Sequence, residues 1–167
     1  MRVDEIQLTT ARQGHLVHHT QVFSPDGQWV VFDTRNDDTH IGRTGTIGRV
    51  NVHTGRVETL YRTASQTEYG PGVGAATYSP DGKRVLFIHG PRHADAARPY
   101  SMTRRTGVAV DLDRPMFPIF FDARDVVPPF TPGALRGGTH AHSWSADGEW
   151  ICFTYNDSVL ARRTEWD

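Results

Sequence analysis

Apolar and polar residues alternate in short runs over most of the chain, and one such run occurs three times. It reads Phe23-Ser-Pro-Asp-Gly-Gln-Trp-Val-Val-Phe32, then Tyr78-Ser-Pro-Asp-Gly-Lys-Arg-Val-Leu-Phe87, then Trp144-Ser-Ala-Asp-Gly-Glu-Trp-Ile-Cys-Phe153. In each copy Val30, Val85 or Ile151 alternates with Phe32, Phe87 or Phe153 at the two-residue period of a strand, so the unit predicts a β-hairpin closed by Ser-x-Asp-Gly. Pro25 and Pro80 preset φ for the turn, and Gly27, Gly82 and Gly148 accept the positive φ on which it ends. Asp26, Asp81 and Asp147 suit bonds to turn amides, which accounts for them without a catalytic role.

Further alternating runs follow the hairpins. Residues 46–52 and 56–61, joined by His53-Thr-Gly55, complete four antiparallel strands within 19–62. The second copy repeats the plan over 74–121, with strands at 74–79, 83–89, 106–112 and 116–121 and a long polar insertion at 90–105. The third copy offers strands at 139–145 and 149–155, and 139–167 is too short for the rest. Four-stranded repeats of this kind predict an all-β fold, a single β-propeller domain over 1–167 with two full blades and part of a third. Residues 5–10, within 1–18, read as the outer strand of a closing blade. An open ring exposes an apolar blade face and strand edges, so the chain reads as the N-terminal part of a longer propeller, or as a unit that self-associates through those edges.

Composition narrows the partners. The formal charge is −1, which provides no global basic field for nucleic acid or anionic lipid, so neither a nucleic-acid nor a membrane partner is expected. Cys152 is the sole cysteine and excludes an intramolecular disulfide. The start, Met1-Arg2-Val3-Asp4-Glu5, lacks the basic and apolar regions of a signal peptide, and the reading is cytoplasmic; the periplasm is the alternative if the true start lies elsewhere.

Aligned on their aromatic residue, the repeats bring His19, Gly74 and His140 into one register and Gln21, Ala76 and His142 into another, on the strand that lines a propeller's channel. Residues i and i+2 of a strand share a face about 6.6 Å apart, so His140 and His142 are expected to direct two imidazoles at one point, with His19 and Gln21 facing them. Imidazoles so placed suit a divalent metal, manganese or zinc; the alternative is histidines that bond water in a hydrated channel. Arg35, Arg104, Arg105 and Arg136 fall near blade-end loops where an acidic ligand would meet them. The acidic loop at 33–38 reads as a solvated turn, His18 and His89 as strand-end residues, and Trp29 and Trp150 as packing between blades.

The aromatic-Ser-Pro-Asp-Gly hairpins resemble the WD40-like (PD40) repeats of TolB-type propellers. More narrowly, residues 18–27, 49–55, 87–91 and 131–142 resemble a family of uncharacterised bacterial propeller proteins whose members are longer than this chain. A more distant resemblance is to oligogalacturonate lyase, in which histidines and a glutamine hold a divalent metal for β-elimination; His140 and His142 match its histidine pair, while Gly137 stands where it has glutamine. With the register of the repeats, the reading is a ligand-binding propeller of the uncharacterised bacterial type with His19, Gln21, Arg136, His140 and His142 at its site, taking a small-molecule or oligosaccharide ligand. Alternatives are a metal-dependent lyase acting on acidic sugars and a platform for a protein partner.

Overall fold

Each Ser-x-Asp-Gly segment closes on itself before it pairs with anything else. In the computed structural model, which describes residues 4–122, 124–125 and 128–162, the first turn has the Ser24 hydroxyl donating to Asp26 Oδ1 at 2.5 Å, while the Gln28 amide donates to the same oxygen and the Trp29 amide to Ser24 Oγ. Ser79, Asp81, Lys83 and Arg84 repeat this set, as do Ser145, Asp147, Glu149 and Trp150. Gly27, Gly82 and Gly148 sit at φ of 69°, 69° and 74°, where a Cβ would be strained. The serine hydroxyl, foremost, holds each aspartate below its ordinary pKa. These aspartates build turns, as their sequence context predicts.

From the hairpins grow three antiparallel sheets. β1 (Trp29–Asp33), β2 (Thr46–Asn51) and β3 (Val57–Arg62) form the first. β4 (Val73–Tyr78), β5 (Arg84–His89), β6 (Thr106–Asp111) and β7 (Arg114–Phe120) form a complete four-stranded blade, ordered as in the sequence. β8 (Gly137–Trp144) and β9 (Ile151–Asp157) form the third. The first sheet packs on the second through β1 against β4 and β3 against β7, and β8 packs on β5 and β6 from the other side. This is an open, incomplete β-propeller.

Because the middle blade is covered on both faces, β5 and β6 are buried almost without interruption instead of alternating. Val85, Phe87, Val108 and Val110 join Val31, Ile47, Leu60 and Tyr61 in the core against the first sheet. Leu86 and Ala109, fully buried, fill the opposite face. Trp29 packs on that core, with the Arg49 guanidinium 4.1 Å above its ring. Trp150, expected between blades, is instead 73% exposed: no neighbouring sheet covers that face of β9 among the described residues.

Three further departures have local causes. The first repeat's inner strand makes only two bridges to β1, Leu16 with Asp33 and Phe23 with Val30, so residues 17–22 face just residues 31–32 and the surplus loops out of the ladder. Residues 5–10 form no ladder, although the Leu8 carbonyl runs past the Gly55 turn. The loop at 33–38 is anchored in the interior: Asp33 is 0% and Arg35 1% exposed. Asp33 Oδ1 accepts from Arg35 Nε at 2.7 Å, and Oδ2 accepts from an Arg35 terminal nitrogen at 2.8 Å and from the Ala75 amide of the next blade at 2.9 Å. A buried carboxylate needs such partners, and the pair clamps two blades together. Residues 1–3, which open the sequence's N-terminal reading, and 163–167, which end the expected third blade, lie outside the described residues.

Candidate functional site

The inner strands β4 and β8 carry the same irregularity. Ala75 and Ala76 together face Phe87, and Ala141 and His142 together face Phe153, because the register shifts by one residue in each. Ala75 and Ala141, three residues before the aromatic of their repeats, have φ of 57° and 52°, uncommon for a residue with a Cβ. Such a bulge breaks the two-residue alternation at the position where the sequence places its histidine pair.

The consequence is that His140 and His142 do not share a face. His142 is 4% exposed and its ring lies so close to Gly107 that a Cβ there would meet Cδ2 at 2.7 Å. Its Nε2 is 2.9 Å from Thr139 Oγ1, and Thr139 donates its own proton to Asp122 Oδ2, so His142 Nε2 carries the proton and Nδ1 is left buried without a partner. Burial, partly opposed by Asp122, lowers its pKa to about 4 and keeps it neutral. His140, next to Thr139 on a regular stretch of strand, faces the other way and bonds to the Thr154 hydroxyl of β9. Burial, then Arg105, lowers its pKa as well.

His19, by contrast, does reach the third repeat. The residues that loop out at 17–22 carry it to β8, where Nε2 donates to the His142 carbonyl at 3.1 Å with Ser143 Oγ at 3.3 Å. Its Nδ1 faces the Gln21 amide at 3.5 Å, and burial lowers its pKa. The Gln21 side chain is exposed, while its carbonyl is fixed by the Tyr78 amide and the Thr77 hydroxyl of the middle blade. The loop that carries His19 and the strand that carries His140 and His142 thus meet through a ring-to-backbone bond. Among the described residues, no group of three or more His, Cys, Asp and Glu side chains could hold a metal ion.

The remaining expectations divide. Arg136 donates to Asp157 Oδ2 at 2.7 Å, with Tyr155 bonded to the same oxygen. Arg105 is buried and its Nε has no partner, and Arg104 donates to the Pro99 carbonyl. His89 ends β5, as expected, and is also buried: Nδ1 donates to the Gly90 carbonyl at 2.6 Å and Nε2 accepts from the Tyr61 hydroxyl at 3.0 Å across the blade interface. Asp122 and Thr139, which join Thr106 and His142 in one network, carry no motif; only the spacing of Thr139 three residues before a bulged histidine marks them.

A family described as "Protein of unknown function (DUF3748)" matches residues 72–167. The "Uncharacterized protein YidR" of Escherichia coli (strain K12) is 44% identical over 155 residues, which cover 92% of this chain and 35% of that protein. The chain therefore spans about a third of the length of the curated relative it matches. Among solved structures, TolB from Acinetobacter baumannii is 18% identical with a TM-score of 0.49, covering 84% of this chain and 28% of its own. A putative TolB from Agrobacterium tumefaciens is 21% identical with a TM-score of 0.38, covering 79% and 41%.

Proposed function

Given that the chain belongs to the DUF3748 family, we propose that it is a ligand-binding propeller unit whose ligand lies against the inner strands of the first and third repeats, at His19, Gln21 and His140. The observation that supports this reading is the crossing of His19 to β8, which joins a loop and a strand more than a hundred residues apart at a part-buried, polar place. Its imidazoles have lowered pKa values and are neutral near pH 7, and Ser143, Thr154 and the Gln21 amide add donors and acceptors without net charge. Groups of this kind exchange hydrogen bonds with hydroxyls, which favours a hydroxyl-rich small molecule such as a sugar or short oligosaccharide. His142 and Thr139 support β8 from behind, and Arg136, held by Asp157, stands at its start.

The test is a titration of the chain with a panel of mono- and oligosaccharides, read from the imidazole 15N signals of His19 and His140. A saturable shift of both rings, with the His19 shift lost in His140→Ala, supports the reading. A panel that leaves both rings unmoved, or that moves the His19 ring equally in the variant, sinks it. Parallel titrations with Zn2+ and Mn2+ decide whether a divalent metal belongs to the same site.

A further inference from the structure

The chain's cations are almost all arginines, with Lys83 the one lysine, and five of them converge on one place outside the histidine-bearing strands. A cavity of about 730 Å³ is lined by Arg92, Arg98 and Arg104 from the long insertion after β5, by Arg124 from the segment after β7, and by Arg162 from the 3-10 turn Leu160–Arg162. His93 adds a further nitrogen-bearing side chain, and among the described residues no aspartate or glutamate lines the cavity. None of the five arginines is in an ion pair among the described residues, whereas Arg35, Arg49, Arg56, Arg84 and Arg136 all are.

The contacts that hold three of the five in place are to carbonyls and a ring, not to carboxylates. Arg124 donates to the carbonyls of Arg104 at 3.2 Å and Gly137 at 2.7 Å, and its Nε is buried without a partner. Arg104 donates to the Pro99 carbonyl at 3.0 Å, and Arg92 lies 3.9 Å over the Phe120 ring. Arg104 and Arg124 are half-buried, and Arg92, Arg98 and Arg162 are exposed around them. Asp122 acts on Arg124 electrostatically without an ion pair between them, and the bonds from Thr106, Thr139 and the Gly107 amide all fall on its Oδ2. Like charges repel, so gathering five guanidiniums on one cavity is unfavourable until an anion enters. The planar fork of a guanidinium matches the two oxygens of a carboxylate or phosphate.

We propose that this cavity binds a small polyanion, a molecule carrying two or more phosphate or carboxylate groups. Its volume lies within the range of ordinary ligand pockets, and five cations exceed what a monoanion engages. The site is independent of the inner-strand histidines, so His140→Ala leaves it intact.

Calorimetric titration of the chain at low ionic strength with inorganic tripolyphosphate, and separately with citrate, tests the proposal. We expect saturable binding of at least one probe at a single site, weakened about tenfold or more in Arg98→Gln/Arg162→Gln, since each charge-assisted bond lost is worth about a factor of ten. Both residues are exposed, and an unchanged melting temperature shows that the variant is folded. Preference for one probe tells phosphate from carboxylate. Absence of binding by either probe overturns the proposal. So does an unchanged affinity in the double variant, or an equal loss in Arg56→Gln/Arg114→Gln, which removes two arginines elsewhere on the surface.

Discussion

Replacing Arg35 by methionine keeps the volume of the side chain's stem and removes its charge from the clamp between the first two blades. Asp33 then loses bonds from Nε at 2.7 Å and a terminal nitrogen at 2.8 Å and keeps only amide donors, those of Arg35 itself and Ala75. A charge-assisted hydrogen bond contributes about 1.5–3 kcal/mol, and a buried pair stripped of one partner costs about 3–5 kcal/mol. Against a total stability of about 5–15 kcal/mol for a domain, that is a large fraction. Urea unfolding followed by tryptophan fluorescence should show the midpoint of Arg35→Met falling by on the order of 2 M, for a slope of roughly 1–3 kcal/mol/M. Asp33→Asn/Arg35→Met should be more stable than Arg35→Met alone, because the amide oxygen still accepts from Ala75 while the unpaired charge is gone. A loss below about 1 kcal/mol for Arg35→Met, or additivity of the two substitutions within about 0.5 kcal/mol, would refute the clamp.

Other expectations follow from the bulge on β8 and the network behind it. Ala141→Gly should raise the melting temperature, by up to about 1 kcal/mol of stability, because glycine adopts a φ of 52° without strain; Ala141→Val should lower it by more than that. Gly107→Ala should cost about 1–3 kcal/mol in urea unfolding, since its Cβ would meet the His142 ring at 2.7 Å with no room to yield. His142 has a folded pKa of about 4 against an ordinary 6.5, so the unfolded chain binds the extra proton between those values. Stability is therefore fully present above about pH 6.5 and falls as pH drops toward 4, by roughly 3 kcal/mol from this group. His142→Gln should flatten that decline in denaturation curves taken at pH 7 and pH 4.5, and an unaltered slope would contradict the assignment.

The blades were legible because their information is local. Strands expected at 74–79, 83–89, 106–112 and 116–121 appear as β4 to β7 within a few residues at each end, since alternation and Ser-x-Asp-Gly turns act over distances of a few residues. The candidate site was legible only as register. Sequence spacing set His19 opposite the strand of His140 and His142, where the structure has its ring bonded to the His142 carbonyl, and it placed the latter two on one face, where the structure does not. A single left-handed alanine reverses that, and nothing about Ala141 in the sequence distinguishes it from an alanine in an ordinary strand.

By itself the sequence determined the repeating hairpin, the all-β class and the order of the strands, because turn chemistry and two-residue periodicity belong to contiguous residues. Burial belongs to pairs that the chain order does not reveal. Packing on both sides of the middle blade made Asp33 and Arg35 an internal clamp, turned His89 into a core residue and sealed His142 behind Gly107. Packing also gathered arginines from three separate segments around one cavity, a convergence that exists only once the insertion after β5 lies beside the third blade.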